Sequence, residues 1–505
     1  MALKMAWAYA FGRTPSKSVY VKPTTEEARD FSTELTGSDV SFFLVNDVPV
    51  VWVWKNRWID FENLRIGMER TLNRIPAAAG RIIVGKNGGL EISNHNTEGC
   101  LLEFQERSGF LPSDDVGSNI WSKYGFSEPL IPLEPFGRAL ISAKLTHFRD
   151  GCSLFVNFSH VLTDGDAMVK FMQIWSWETG LASNSISILP KENPEEVDCD
   201  HRLRKIEGVP TEFDQKDYDK KLTLMQVLKF MAKVPIITAT DEVCDFEFSN
   251  EQWQATKNLV QKELGQKQWV SSYEAIMGVI LKCLAEADGV DTIRGRVVVN
   301  IRGRSKLFPK NYFGCGLSAH EFENISTQEP PSKIAFALHE SLRAGIEDMK
   351  EMEKLHLLPE SIGAHKCGMI GSLLGGRLGM VERARYLSVW EKNISEDNCV
   401  INSWVGYPWL SVNFGLDSSK GADYIRLPAF FRFRRHVHIY PKTDNAFFLR
   451  MQLPKETMDR FKQSLNSCGV GFKEVPLNNT SGQLSSKMEV GKPNPLPGGM
   501  QRAFL

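Results

Sequence analysis

The sequence predicts an α/β protein of layered sheets and helices. Strand-like and helix-like periodicities alternate in both halves of the chain. No internal repeat period runs through it. A length of 505 residues, 42% of them hydrophobic, exceeds what one ordinary domain uses, so two lobes are the expected organisation.

The elements follow in order. DVPVVWVW reads as a buried strand, rich in β-branched and aromatic residues. FENLRIGMERTLNRI places Phe61, Leu64, Met68 and Leu72 at helical spacing. RALISAKLTHF and CSLFVNFSH are two further strands, the second carrying Cys152, Leu154, Val156 and Phe158 on one face. GDAMVKFMQIWSW returns to a helical stripe of Met168, Phe171, Met172 and Trp175. From about Ser183 to Lys221 the chain turns charged and proline-bearing, which marks a crossing segment between lobes, with a disordered loop as the alternative.

The second half opens on the strand-like DEVCDFEFS. In SSYEAIMGVILKCLAEA, Ser271 and Glu274 have capping-box spacing, and Ile276, Ile280, Leu281 and Leu284 form the buried stripe. GRVVVNI is a continuous apolar strand, and AFFRFRRHVHIYPK and NAFFLRMQL read as neighbouring strands. The end, NNTSGQLSSKMEVGKPNPLPGGMQRAFL, has little to bury and reads as a flexible tail. The expected boundaries are a first lobe over 1–185, a crossing linker over 186–222, a second lobe over 223–470 and a tail over 471–505.

Charge excludes some partners. A net charge of −1 provides no field for nucleic acid or an anionic membrane. Nine cysteines, never spaced as C-x-x-C, argue against a disulfide framework and structural zinc, and fit a reduced cytosol. The opening MALKMAWAYAFGR is interrupted by Gly12 and Arg13, which argues against a signal peptide. VSFFLVNDVPVVWVW is broken by Asn46, Asp47 and Pro49, and no segment approaches the ~20 apolar residues of a membrane span. A cytoplasmic protein is expected.

The chemistry-bearing pattern is His160-x-x-x-Asp164-Gly165. A strand runs into the histidine and a helix starts after the aspartate, which suits Asp164 or Asp166 to cap it. Histidine at a strand's carboxyl end sits where α/β pockets open, with a pKa suited to accepting a proton. Alone, the motif leaves two readings evenly open, a catalytic base or a satisfied corner histidine. No G-x-S-x-G elbow and no phosphate-binding G-x-x-x-x-G-K-[ST] loop occurs. GSLLGGRLG reads as a loop. His436 and His438 share one strand face but lack a third ligand nearby, so a paired surface or core role outweighs metal binding. Arg432, Arg434 and Arg435 suit either a phosphate or an alternating edge strand. INSWVGYPWLSVNFGLD reads at minimum as a hydrophobic strand and turn.

Taken in order, these pieces resemble the BAHD acyltransferases, the coenzyme-A-dependent family related in fold to chloramphenicol acetyltransferase and peptide-synthetase condensation domains. The resemblance runs to about residue 470. VYVKPTTEEA is similar to the family's opening strand, and LRIGMERTLNRIPAAAGRI to its helix ending in P-x-A-G-R. NFSHVLTDGDAM matches its H-x-x-x-D-G segment. SSYEAIMGVILKCLAEA and NIRGRSKLFPKNYFG resemble the helix and R-x-R…Y-F-G segment that follow, and NSWVGYP resembles S-W-x-x-x-P. The family's D-F-G-W-G stands here as Asn413-Phe414-Gly415-Leu416-Asp417.

The resemblance implies two chloramphenicol-acetyltransferase-like lobes, each a mixed sheet with helices, and an active-site tunnel between them. It implies a monomer that binds no permanent cofactor and uses acyl-CoA as co-substrate with a small-molecule alcohol or amine acceptor of specialised metabolism. His160 becomes the general base, Asn402 an oxyanion donor and Trp404 its neighbour. Asp164 becomes structural, turned away from substrate toward Arg302 or Arg304. Gly165, Phe414 and Gly415 are structural as well. Asn413 replaces an aspartate that pairs with an arginine in the family, so Arg302 or Arg304 is expected to need another partner. Ser271 and Ser272, at a helix start, are expected CoA contacts. Two rival readings share the scaffold. One takes its acyl group from a carrier protein, although Ser159 stands where that class carries a second histidine. The other binds a ligand without catalysis.

Overall fold

The computed structural model describes residues 16–35, 39, 47–85, 90–95, 97–112, 137–183, 193–199, 240–304, 308–347, 399–416, 420–427 and 434–476. Most of the expected linker, GSLLGGRLG, Arg432 and both chain ends lie outside these residues.

A six-stranded sheet organises the first half. Its order is β1 (Ser16–Val21), β6 (Cys100–Glu106), β7 (Ile141–Phe148), β8 (Gly151–Phe158), β3 (Val48–Lys55) and β13 (Tyr424–Arg426). β3 is an interior strand, and seven of its eight residues are buried. Trp52 and Trp54 enter the main core on one face, and Val51 and Val53 pack with Phe155 and Tyr424 on the other. A strand apolar on both faces can only be satisfied between two covered surfaces. β2 (Ser32–Glu34), β5 (Leu90–Ser93) and β4 (Arg81–Val84) form a small separate sheet.

Two helices cover the main sheet, α2 (Phe61–Arg74) and α3 (Gly165–Ala182); the one-turn α1 (Glu26–Arg29) precedes them. α2 buries Leu64, Met68 and Leu72, the stripe its spacing predicts. Asp60 caps its start, accepting from the Asn63 amide at 2.8 Å. α3 buries Met168, Phe171, Met172 and Trp175.

The second half builds a seven-stranded sheet. Its order is β11 (Leu317–Ser326), β10 (Thr292–Asn300), β12 (Cys399–Ser403), β14 (His436–Thr443), β15 (Ala446–Pro454), β9 (Asp241–Ser249) and β16 (Lys473–Pro476). β12 runs parallel to both neighbours, and the other pairs are antiparallel. The helices of this half are α4 (Asn250–Leu264), α5 (Ser272–Asp288), α6 (Pro331–Glu347) and α7 (Lys455–Ser467). They share a second core with the sheet, including Ile276, Ile280, Leu281 and Leu284 of α5. Ser271 and Glu274 form the expected capping box.

Three features depart from the linear reading. β13 comes from the second half of the sequence yet pairs with β3, Ile425 opposite Trp52. The chain before it is fastened to the same sheet, since Trp52 Nε1 donates to the Trp409 carbonyl at 2.8 Å and Trp54 Nε1 to that of Val412 at 3.2 Å. The expected tail from 471 begins too early, because Lys473–Pro476 pairs with β9 and buries Val475. Arg434 and Arg435 lie in a turn, not on an edge strand, and are held by Asp241 and Asp288. β14, which follows them, is interior to its sheet. Among the described residues no helix is long and apolar enough to cross a membrane.

Candidate active site

β8 and α3 deliver His160 and Asp164. β8 ends at Phe158, α3 begins at Gly165, and the turn between them must satisfy the amides at the helix start. Asp164 does this as N-cap, its Oδ1 accepting from Ala167 N at 3.0 Å. The same carboxylate is fully buried and receives Arg302 through two bonds, Nη1 to Oδ2 at 2.8 Å and Nη2 to Oδ1 at 2.9 Å. Gly316 N adds a bond at 2.8 Å. Arg302 is saturated in turn, giving Nε to the Tyr312 carbonyl at 2.9 Å and Nη2 to that of Gly314 at 2.6 Å. Burial acts to lower the guanidinium's pKa, but the charges of Asp164 and Asp166 outweigh it and raise it. Asp164 is thus spent on structure. The Cys315 thiol donates to the His160 carbonyl at 2.9 Å, so the 314–316 segment grips the turn from the second half.

His160 is partly buried and lines a cavity of about 390 Å³. Burial lowers its pKa below the usual histidine range, opposed by hydrogen bonds to the backbone of His160 and Thr163 and by the charges of Asp164 and Asp47. Asp47 itself is held by Arg138 and by Asn157 Nδ2 at 2.8 Å. The net effect keeps the imidazole neutral at physiological pH, the form that accepts a proton.

The opposite wall comes from the second half. Asn402 and Ser403 end β12, and Trp404, Gly406 and Tyr407 follow. Trp404 is anchored by its amide on the Ile439 carbonyl at 2.8 Å and by stacking on Trp409, ring centroids 4.5 Å apart. Gly165 makes room for this wall, since a Cβ there would lie 3.2 Å from both Trp404 Nε1 and Tyr407 Cε2. Met168, Val297–Val299, Leu317 and Leu342 supply apolar surface, and Tyr273, Glu274, Asn300, Arg304 and Arg343 complete the lining.

The structure therefore brings His160, Gly165, Arg304, Asn402 and Trp404 to one cavity. It does not bring Asn413, Phe414 and Gly415 there. Asn413 and Phe414 give their amides to Ser176 Oγ at 3.0 and 2.9 Å, and a Cβ on Gly415 would strike Ser183 Oγ at 2.5 Å. Ser176 is eleven residues along α3 from Gly165, about 17 Å at helical rise. Phe414 and Gly415 hold positive φ (53° and 75°), a turn that seats Phe414 edge-on between Trp54 and Trp175. The other partner that Arg302 or Arg304 was expected to need is, for Arg302, Asp164.

Ser271 and Ser272 are also absent from the lining. The Ser271 hydroxyl accepts from Glu274 N at 3.2 Å to cap α5, and the Ser272 carbonyl accepts from Trp253 Nε1 at 2.5 Å. The cavity instead meets the next two residues, Tyr273 and Glu274. His436 and His438 stack on one face with centroids 5.7 Å apart, buried, and neither belongs to a three-ligand group among the described residues. Sequence reasoning missed Tyr407 and Asn300. Their signal was proximity in the chain, three residues after Trp404 and two before Arg302.

The model of the Transferase family matches residues 16–467. Acyltransferase clz6 of Cochliobolus lunatus is 26% identical over 197 residues, 37% of this chain and 37% of that protein. Acyltransferase M4 of Phoma sp. is 27% identical over 165 residues, 30% of this chain and 33% of that protein. The chain thus matches only about a third of the length of these curated relatives. TRI101 of F. sporotrichioides, solved with coenzyme A and T-2, superposes with TM-score 0.58 at 16% identity, over 88% of this chain and 100% of that one. Vinorine synthase gives 0.58 at 14% identity, over 88% and 95%. At such identities the structural likeness speaks for the fold.

Proposed function

The chain belongs to the Transferase family, the BAHD-type acyltransferases, and from that premise we propose that it moves an acyl group from acyl-CoA to a hydroxyl or amine of a small-molecule acceptor. The observation that supports this reading is that His160, Asn402 and Trp404 line the same cavity. Coenzyme A is bound in the solved TRI101 complex, and its acyl thioester is the donor assigned here.

His160, neutral because it is buried, takes the proton of the acceptor O–H or N–H as that atom attacks the thioester carbonyl. The acceptor's lone pair forms the new bond to the carbonyl carbon, and the C=O π pair moves onto the oxygen. Asn402 Nδ2 donates to that oxyanion, with Trp404 beside it. Collapse restores the carbonyl and expels the CoA thiolate, which receives the proton held by His160. No acyl-enzyme forms. Holding the reacting atoms about 3–3.5 Å apart supplies much of the rate. Asp164 never touches the proton; its carboxylate caps α3 and pairs with Arg302.

The test is thiol release across a panel of acyl-CoA donors and of alcohol and amine acceptors. Release should require an acceptor and fall at least ~10²-fold in His160→Ala with the fold intact. Undiminished turnover in that variant removes the base assignment.

A further inference from the structure

Tyr407 lies three residues beyond Trp404 and lines the cavity with His160. Its ring and the Trp404 indole N–H meet over Gly165, each 3.2 Å from where a Cβ would stand. Asn300 lines the same cavity, and its Oδ1 accepts twice from Arg302, from the backbone N at 3.1 Å and from Nη1 at 3.2 Å. Arginine only donates, so the amide's orientation is fixed and its NH₂ turns the other way. The Asn300 amide acts to lower the pKa of the Tyr407 phenol, the effect of a donor beside the phenolate. An NH₂ can only donate, so the phenol oxygen accepts and its own O–H is left over. Among the described residues nothing else accepts that proton.

We propose that the Tyr407 hydroxyl is a further hydrogen-bond donor to the acyl thioester's carbonyl oxygen as it becomes an oxyanion. Asn300 holds it, and the Arg302–Asp164 pair holds Asn300. The inference rests on the acyl-transfer reading above. The acceptor's oxygen or nitrogen loses a proton to His160 and needs a base; the thioester oxygen gains negative charge and needs donors. Tyr407 can serve only the second, and it stands on the wall that carries Asn402 and Trp404. Burial, with the charges of Asp164 and Asp166, raises the phenol's pKa, so the donor keeps its hydrogen throughout. Tyr407 transfers no proton and forms no bond; it only stabilises charge.

The experiment is Tyr407→Phe, which deletes the hydroxyl and keeps the ring. Expected are a kcat lowered at least tenfold, a KM for acyl-CoA within about threefold of the parent and an unchanged melting temperature. A smaller loss in kcat, or a loss in KM alone, overturns the proposal. His160→Ala is measured beside it. Inactive His160→Ala with fully active Tyr407→Phe sinks only the Tyr407 role, whereas active His160→Ala sinks the transfer mechanism. Should Tyr407→Phe fold poorly, ring-fluorinated tyrosines at position 407 keep the shape and strengthen the donor. Their kcat should rise with phenol acidity, and a flat response refutes the assignment.

Discussion

At His160 two effects on the imidazole oppose each other, and burial is the larger. A base with a lowered pKa is protonated only in more acid solution, so activity is lost as pH falls through that lowered value. The acid limb of kcat/KM should therefore lie below the ~6.5 of an ordinary histidine, with no loss of active base between that limb and neutrality. A pH–rate profile breaking at or above 6.5 contradicts this. Asn402 is legible from the sequence only as a residue before Ser403-Trp404, and β12 is what brings it to the cavity. Asn402→Ala should cost roughly 10²-fold in kcat, read by steady-state kinetics with saturating acyl-CoA. Parent-like kcat in that variant leaves the oxyanion to Tyr407 and Trp404.

At the scale of elements, the β8–α3 turn depends on Asp164, which caps a helix and neutralises a buried arginine with one carboxylate. Its alanine variant loses the cap and takes the bidentate partner from buried Arg302, leaving Asp166 Oδ2, 3.2 Å from Nε, as the remaining carboxylate. The expected destabilisation is roughly 3–5 kcal/mol, read by urea unfolding. Adding Arg302→Met to Asp164→Ala should recover part of that loss, because both partners of the buried pair are then gone. A double variant no more stable than the single one means the loss comes from the cap alone. The sequence carried the cap and the strand–helix boundary because both are local. The choice of Arg302 over Arg304 was not readable, since both are two residues apart in one R-x-R and only the path of the chain after β10 separates them.

Across the whole molecule, the face of the second sheet turned toward the first half is polar inside a core. Arg450 pairs with Asp245 at 2.7 Å while Tyr440 donates to the same carboxylate at 2.9 Å. His436 and His438 are buried beside them. Burial, and then the Arg450 charge, pulls His436 down to about 3, and burial with the His436 and Arg450 charges holds His438 well below its usual value. The sign follows directly. Above the unfolded value of ~6.5 both states are neutral and stability is unaffected; below it the unfolded chain takes up protons that the folded chain refuses. Stability should fall as pH drops from about 6.5, by up to ~1.4 kcal/mol per unit for each histidine. Urea midpoints between pH 7 and 5 measure it, and His436→Leu should flatten the slope. An equally steep slope in that variant removes His436 from the account.

The sequence alone determined the α/β class, the helical stripes of α2, α3 and α5, the capping box at Ser271, the crossing from strand to helix at His160, and the ordered motifs that mark the family. Each is set by neighbours within a few residues, where periodicity and capping chemistry act. Only the tertiary structure decided that Asn413–Gly415 belongs to the far end of α3, that Ser271 gives way to Tyr273 and Glu274 at the cavity, that Tyr424–Arg426 returns to the first sheet, and that Tyr407 and Asn300 line the cavity of His160. Those outcomes depend on which surfaces meet when two cores close, and packing joins residues hundreds of positions apart that no local pattern relates.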